Sequence, residues 1–245
     1  MCTLAVAFQV DPRWPLLAAA NRDERLDRPA EDWALRAGGG PAPYLSPRDL
    51  VGGGTWIGLN ARRVFAGITN YHVPGSAGPD PARRTRGEIV AQALGRRSAA
   101  EARAHFAQAE AALFNPFHLL VADPEEAFLW WYDGETSALE SLGSGLHVVT
   151  ENSPFGLCPR GDWLRGHWPL DPTAARLREL LSAHGPDPFS RTCIHLDPRY
   201  GTRSSAILRL AGSLENSDLY ATGGPPCTTP LEDRSELLRS LARSA

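Results

Sequence analysis

Cys2-Thr3-Leu4-Ala5-Val6-Ala7-Phe8-Gln9-Val10 is an unbroken apolar run near the start of the chain. Such a run predicts a strand covered on both faces, with even-numbered side chains on one face and odd-numbered ones on the other. A turn, DPRWP, follows at 11–15, and LLAAA at 16–20 predicts the returning strand of a hairpin. The polar segment NRDE at 21–24 ends that strand, so we expect it to lie beside Cys2.

Outside this hairpin, the sequence predicts short strands interspersed with helices. A loop rich in glycine and proline is predicted for residues 29–54, and a helical segment with a break near Gly95 for residues 85–113. The remaining predicted strands cover residues 55–59, 64–69, 117–122, 127–132, 137–142, 146–149, 203–210 and 217–222, and the remaining helices 172–184 and 231–243. This order is typical of a layered α+β fold. We assign it to a single domain over residues 1–245.

The composition excludes several function classes. The chain has 245 residues and a formal net charge of −3, which argues against a nucleic-acid partner. All 25 basic residues are arginine, so Schiff-base and phosphate-loop lysines are excluded. No apolar run approaches the roughly 20 residues that a membrane helix needs, and no signal peptide is recognisable. We expect a cytoplasmic protein without stable membrane insertion.

The four cysteines, Cys2, Cys158, Cys193 and Cys227, are scattered along the chain. They form no C-x-x-C pair, and no histidine stands at a zinc-ligand spacing. A secreted disulfide-stabilised protein would contain a denser set. The sequence therefore predicts free thiols in a reducing compartment and no metal site.

Cys2 is the leading candidate for chemistry. Once Met1 is removed, this residue would carry a thiol and a free α-amine together. Ordinary pKa values are about 8.5 for a thiol and about 7.7–8 for an α-amine, so the amine is a suitable base at neutral pH. The alternative is that Cys2 is a small apolar residue at the start of a buried strand.

Five further polar positions end or flank predicted strands. Arg22 and Asp23 would lie beside Cys2, where an arginine can keep a thiol ionised; the alternative is an exposed turn with ordinary ion pairs. Asn70 and Asn152 are either amide donors to an oxyanion or turn formers. Arg203 either binds a substrate carboxylate or the nucleophile, or is a surface residue.

Tryptophans offer a weaker signal. Trp14, Trp33 and Trp56 either line an apolar pocket or pack in the core. The run Trp130-Trp131-Tyr132 indicates strand packing.

Taken together, four ordered segments within residues 1–210 resemble the NRDE family, also called the Transport and Golgi organization family. The segments are MCT at 1–3, AANRDE at 19–24 followed by RP at 28–29, GGTWIG at 53–58 with TNY at 69–71, and YGTRSS at 200–205. More distantly, GLN at 58–60 leading to AGITN at 66–70, and TENSP at 150–154, are similar to choloylglycine hydrolases and penicillin V acylases. Those are N-terminal-nucleophile enzymes that cleave amide bonds with an N-terminal cysteine. The resemblance implies a four-layer αββα sandwich of two antiparallel sheets.

The resemblance also implies roles for single residues. The implied roles are nucleophile for Cys2, oxyanion donor for Asn70, holder of the α-amine for Asn152 and second site arginine for Arg203. Arg22 and Asp23 correspond to the first arginine and its carboxylate. Because the related enzymes place more residues between those two, Glu24 is an alternative to Asp23.

Two hypotheses for function follow from this resemblance, and a third from its possible loss. The first is an amide hydrolase or acyltransferase acting on a small acylated or lipid-like substrate, with no cofactor required. The second is a carrier that binds haem, acyl-CoA or a lipid in the same cleft without turnover. The third is an interaction scaffold whose site has decayed.

Overall fold

The computed structural model describes residues 2–37, 43–76, 78–187 and 189–244. The strands in these ranges are β1 (Thr3–Asp11), β2 (Trp14–Arg25), β3 (Ala30–Arg36), β4 (Tyr44–Asp49), β5 (Ile57–Asn60), β6 (Phe65–Asn70), β7 (Phe117–Ala122), β8 (Ala127–Tyr132), β9 (Ser137–Leu142), β10 (Gly145–Thr150), β11 (His195–Asp197), β12 (Tyr200–Leu210), β13 (Asp218–Thr222) and β14 (Glu232–Asp233). The α-helices are α1 (Gly87–Leu94), α2 (Ala99–Phe106), α3 (Pro159–His167), α4 (Ala174–Leu181) and α5 (Ser235–Ala242), and a 3₁₀ turn covers Ala111–Leu113.

The strands form two antiparallel sheets. The first has the order β10-β1-β2-β12-β13-β14, with β11 paired to β12. The second is a meander in which β3 to β9 pair in chain order. The first sheet therefore joins the start of the chain to strands from its middle and end, whereas the second uses neighbours in sequence.

The alternating faces of β1 explain the layers. Leu4 and Val6 are buried in the core between the two sheets, where they pack with residues such as Phe65. Ala5 and Ala7 point the other way, towards the side chains of α3 and α4. On the far face of the second sheet, α1 and α2 supply the apolar side chains that cover it. This arrangement confirms the predicted αββα sandwich and the predicted alternation of β1 as far as Phe8. Beyond it the register shifts and Val10 is exposed, so the prediction was wrong for the end of the strand.

Strand register brings distant segments to one end of the first sheet. Thr3 pairs with Asn21 on one side and with Thr150 on the other. Cys2 therefore lies beside the segments that continue from both partners. β12 pairs with the other edge of β2 and reaches the same end of the sheet. Its register shifts between Thr202 and Ser204, so one extra residue is inserted there.

The prediction of a loop over residues 29–54 was wrong, because this segment contains β3 and β4; residues 38–42 lie outside the described ranges. Pro47 obscured the second strand, since a proline cannot donate to a ladder. In the structure Glu31 pairs with Arg48 and Ala34 with Ser46, so the register shifts where Pro47 stands. The proline is tolerated at this irregularity.

The sequence interpretation also missed α3. Two glycines lower the intrinsic helix propensity of Pro159–His167. The helix is instead defined at its start, where Pro159 occupies the first turn and the Cys158 Sγ accepts the N–H of Gly161 at 3.3 Å. A Cβ on Gly161 would lie 3.4 Å from the Cβ of Val148, so this glycine permits close packing on β10. None of the helices in the described ranges is both long and apolar enough to cross a membrane.

Candidate active site

A cleft between the two sheets opens at the end of the first sheet where Cys2 lies. Its volume is about 190 Å³. The residues that matter for its chemistry are Cys2, Leu4, Arg22, Trp33, Trp56 and Arg203. Leu4 and the two tryptophans make part of the wall apolar, and the two arginines bring positive charge to the same space. The structure thus brings three of the predicted site residues, Cys2, Arg22 and Arg203, into one cleft.

The backbone nitrogen of Cys2 donates to Oε2 of Glu151 at 3.0 Å. This contact follows from the register of β1 and β10. Thr3 pairs with Thr150, so Cys2, directly before β1, stands opposite Glu151, directly after β10. Glu151 is a buried carboxylate. Sequence reasoning missed it, although it directly precedes the predicted Asn152 and directly follows a strand.

Glu151 also contacts Asn70, the last residue of β6, and His72, which lies two residues further along the chain. Nδ2 of Asn70 donates to Oε1 of Glu151 at 3.4 Å, and Nε2 of His72 makes a close contact with the same oxygen. Burial pushes the pKa of Glu151 upward, but its hydrogen bonds, led by that with His72, outweigh burial and hold the pKa at about 2. The carboxylate is therefore charged at neutral pH beside the Cys2 nitrogen.

The thiol of Cys2 is neutral in this environment. Burial raises its pKa to about 12, and the neighbouring carboxylates of Glu151 and Asp23 act in the same direction. The expectation that Arg22 keeps the thiol ionised stays a prediction. The Sγ lies 3.9 Å from the backbone carbonyl of Asp23. A nucleophilic role for Cys2 consequently requires a base that removes the thiol proton.

Arg22 packs against Trp56, which lines the cleft. Its Cζ is 4.2 Å from the ring centroid of Trp56, a cation–π contact. Its Nη2 is 3.8 Å from a carboxylate oxygen of Glu24, and the side chain is almost fully buried. Burial lowers the pKa of Arg22 below its ordinary value. Glu24 is therefore the carboxylate beside Arg22.

The Asp23 carboxyl makes different contacts. Its Oδ1 accepts a hydrogen bond from Oγ1 of Thr202 at 2.6 Å, and its backbone carbonyl accepts one from the Tyr200 hydroxyl at 3.1 Å. Burial raises the pKa of Asp23 to about 6, although the Thr202 bond opposes this rise. Asp23 therefore connects β2 to the strand that carries Arg203.

Arg203 is the extra residue at the register shift in β12. Its Nε donates to the backbone carbonyl of Arg28 at 3.2 Å, and Arg28 in turn forms an ion pair with Asp49 at 2.6 Å. A bulge re-aims a side chain relative to its neighbours in the strand. Here the bulged residue is one that lines the cleft.

Asn152 directly follows Glu151 in the chain. It is exposed, whereas the neighbouring Glu151 is buried and receives the hydrogen bond from the Cys2 nitrogen. The proposed role of Asn152 in holding the amine stays a prediction.

The sequence left open whether Trp14, Trp33 and Trp56 line a pocket or pack in the core. Trp33 and Trp56 line the cleft, and both also pack against the core between the sheets. Trp14 instead packs on the opposite side of the first sheet, near α4, with the guanidinium of Arg209 4.7 Å from its ring centroid.

One cluster of side chains in the described ranges could hold a metal ion, and it lies outside the cleft. Its members are His184, Cys193, His195 and Cys227. The sequence interpretation missed this cluster because its members come from three separate segments, at 184, 193–195 and 227, and form no recognisable zinc-ligand spacing.

Comparisons with known proteins agree with the resemblance noted from the sequence motifs. Residues 1–169 match the model of the family described as Transport and Golgi organisation 2. A Transport and Golgi organization protein 2 homolog of Bos taurus is 31% identical over 245 residues, covering 83% of this chain and 87% of the relative. The homolog of Homo sapiens is 34% identical over 130 residues, covering 48% of this chain and 44% of the relative.

Two solved structures share the fold. A mutant conjugated bile acid hydrolase of Clostridium perfringens superposes with a TM-score of 0.56 at 10% identity, covering 96% of this chain and 93% of that one. An N-acylethanolamine-hydrolyzing acid amidase ortholog of Caenorhabditis elegans gives a TM-score of 0.54 at 12% identity, covering 85% and 92%. Both have the N-terminal-nucleophile hydrolase fold, which confirms the predicted fold class.

Proposed function

The chain belongs to the Transport and Golgi organisation 2 family, and on that premise we propose that it is an N-terminal-cysteine amide hydrolase or acyltransferase. Its substrate would be a small acylated or lipid-like molecule. The observation that carries the proposal is the position of the Cys2 nitrogen, 3.0 Å from a buried carboxylate at the end of a cleft. A free amine at that nitrogen would be held by Glu151 while it serves its own thiol as a base.

The chemistry would proceed in two halves. The α-amine of Cys2 takes the proton of the neutral thiol, and Sγ forms a bond to the substrate carbonyl carbon. The carbonyl oxygen becomes an oxyanion, and collapse of this intermediate breaks the amide bond as the leaving nitrogen receives the proton. Water or another acceptor then attacks the thioester with help from the same amine, releasing the acid or the transferred acyl product and restoring the thiol.

Asn70 would supply an oxyanion donor. Its amide nitrogen already donates to Glu151 at 3.4 Å, a long hydrogen bond that costs little to exchange for an oxyanion. Loss of one such donor typically costs about 2.7–4 kcal/mol of barrier. Asn152, exposed and directly after Glu151, keeps its proposed role of holding the amine.

The cleft favours an acyl group as the bound part of the substrate. Its volume of about 190 Å³ lies below the roughly 300–1,000 Å³ of pockets that enclose a drug-sized ligand. Leu4, Trp33 and Trp56 offer apolar contacts, while Arg22 and Arg203 suit a carboxylate or another anionic group. The two structural neighbours are named as hydrolases of conjugated bile acids and N-acylethanolamines, and both substrate classes carry an acyl group.

The test combines intact-mass spectrometry with turnover of a panel of N-acyl amides. The protein is expressed without an amino-terminal tag, and its mass reports removal of Met1 and any acyl adduct. Wild-type protein should release free acid and transiently carry one acyl group, whereas Cys2→Ala should do neither. Cys158→Ala is the matched control, because that cysteine is buried beside α3 and outside the cleft.

A Cys2→Ala variant that turns over substrate at the wild-type rate would overturn the hydrolase proposal. If wild-type and Cys2→Ala proteins both bind haem or a fatty acyl ligand at one equivalent and neither reacts, the carrier hypothesis replaces it. A free catalytic thiol would function best in a reducing compartment, which is why we also propose a cytoplasmic location.

A further inference from the structure

A second group of nucleophilic and ligating side chains lies outside the cleft. His184 follows α4, Cys193 and His195 lie at the start of β11, and Cys227 lies in the turn after β13. Three segments of the chain, well separated from Cys2 in sequence, thus converge. The hydrolase chemistry proposed for Cys2 uses none of them.

The distances within this group match those around a tetrahedral ion. Cys193 Sγ lies 3.5 Å from Cys227 Sγ and 3.7 Å from His195 Nε2, and His195 Nε2 lies 3.3 Å from Cys227 Sγ. Zinc bonds of about 2.3 Å to sulfur and about 2.0–2.1 Å to nitrogen place ligand atoms roughly 3.3–3.8 Å apart. All four ligand atoms, including that of His184, lie within 4.8 Å of one another.

We propose that His184, Cys193, His195 and Cys227 bind one Zn²⁺ in a closed Cys₂His₂ site. Each thiol loses one proton as its sulfur bonds to the metal, and each imidazole binds through a neutral nitrogen. The two thiolates then balance the charge of the ion. No oxidant or reductant is needed.

The donor set decides both the metal and its role. Two sulfurs and two nitrogens favour zinc over magnesium or calcium, which prefer oxygen ligands. The cluster contains no carboxylate. Four protein ligands fill a tetrahedral shell and leave no position for a reacting water, so the ion stabilises the fold rather than performing chemistry.

The segments that the ion would join are connected to the active-site strands. The N–H of Cys193 donates to the carbonyl of Ala183 at 3.0 Å, next to His184. The N–H of Ile194 donates to Oγ1 of Thr202 at 2.8 Å, and Thr202 donates in turn to Asp23. The zinc site would therefore hold the end of α4, the start of β11 and the turn after β13 against the part of β12 that precedes Arg203.

The test measures metal in full-length protein purified in reductant without a metal-affinity tag. After incubation with one equivalent of Zn²⁺ and desalting, elemental analysis should give about one zinc per chain. Co²⁺ in place of Zn²⁺ should produce the visible and near-ultraviolet bands of a tetrahedral thiolate site. Cys193→Ser and Cys227→Ser should each retain less than about a tenth of an equivalent.

Control variants keep the outcome interpretable. Cys158→Ser should bind zinc as the wild type does, because its sulfur lies beside α3. The exposed His184→Ala removes a ligand without changing a buried side chain, and it should weaken zinc binding at least about tenfold while remaining folded by circular dichroism.

Two results would overturn the proposal. One is fully reduced wild-type protein that holds less than a tenth of an equivalent of zinc and shows no cobalt bands. The other is zinc or cobalt binding that persists unchanged in Cys193→Ser and Cys227→Ser. A mass decrease of two hydrogens in non-reduced protein, with no metal bound after reduction, would assign Cys193 and Cys227 to a disulfide instead.

Discussion

The first sheet carries two cysteine regions that differ in the chemical groups around the sulfur. At Cys2 the neighbours are a buried carboxylate, Glu151, and a buried arginine, Arg22. At Cys193 the neighbours are another thiol and an imidazole, at 3.5 Å and 3.7 Å. Carboxylates and a nearby nitrogen suit proton transfer, whereas thiols and imidazoles without a carboxylate suit metal coordination. The contrast teaches that the neighbours of a thiol, rather than its burial alone, separate a nucleophile from a ligand.

The strongest way to break this contrast is to block the amine at Cys2 and leave its thiol intact. A cleavable amino-terminal fusion that ends directly before Cys2 turns the amine into an amide, which cannot act as a base. We expect turnover at least about 10³-fold lower than after cleavage, within the range that general bases contribute. The measurement is the initial rate of acid release before and after protease treatment of one preparation. Equal rates would show that the amine is not the base.

Glu151→Gln tests the carboxylate side of the contrast. It replaces a charge-assisted hydrogen bond worth about 1.5–3 kcal/mol with a neutral one, so we expect kcat to fall roughly 10- to 100-fold. Steady-state kinetics measure this effect. Glu125→Gln, at an exposed position, should leave kcat unchanged.

Glu151→Gln should also change how the free energy of unfolding depends on pH. The pKa of Glu151 is about 2, below its ordinary value of 4.5, so its charged form stabilises the fold above pH 4.5. That stabilisation, on the order of 3 kcal/mol, is lost as the pH falls from about 4.5 towards 2. Urea unfolding of Glu151→Gln should show a flatter curve over this range. A curve as steep as that of the wild type would contradict the assignment.

Metal removal tests the other cysteine region. With free zinc at about 100 times Kd, binding stabilises the folded state by about 2.7 kcal/mol. For a chain of this size that corresponds to a fall of roughly 5–11 °C in Tm when a chelator removes the ion. Differential scanning calorimetry should show the fall in wild type and in Cys2→Ala, and not in Cys193→Ser. If the fall in Tm were absent in Cys2→Ala, zinc binding would depend on Cys2, and the two cysteine regions would not be independent.

The smallest expected effect concerns the aromatic wall beside Arg22. Trp56→Leu removes a cation–π contact worth about 0.5–2 kcal/mol, and it should raise KM several-fold with less change in kcat. Trp14→Leu removes a similar contact with Arg209 on the other side of the sheet. It should lower stability by a similar amount and leave KM unchanged. If both variants changed KM, the effect of Trp56→Leu would be attributed to a general loss of stability rather than to a lost contact in the cleft.

The hairpin and its polar end could be predicted because their signals are local. The apolar alternation of β1 and the NRDE segment placed Arg22 near Cys2, and the register of β1 with β2 bears this out. The strand at Tyr44–Asp49 was hidden because its proline stands at an irregularity that depends on pairing with β3. Helix α3 was hidden because two glycines lower its helix propensity, and only the folded chain shows that one of them, Gly161, packs on β10.

The missed site residues share a different cause. Glu151 is defined as a site residue by the pairing of β1 with β10, which joins positions 149 residues apart. The ligand cluster depends on β11, β12 and β13 lying side by side, so His184 and Cys227 meet only in the folded chain. Local pattern does not contain such long-range contacts. The assignment of residues 1–245 to a single domain stays a prediction.

The central place of β1 has a consequence for biosynthesis. Because Thr3 is hydrogen-bonded in register between Asn21 and Thr150, an aminopeptidase could reach the residue before Cys2 more easily while β10 has not yet been made. A ribosome adding about 5–20 residues per second needs roughly 7–30 s to synthesise the 149 positions from Cys2 to Glu151. Removal of the residue before Cys2 would thus compete with folding of the nascent chain. If a heterologous host removes that residue slowly, the protein would fold correctly but keep it, and the α-amine of Cys2 would stay blocked.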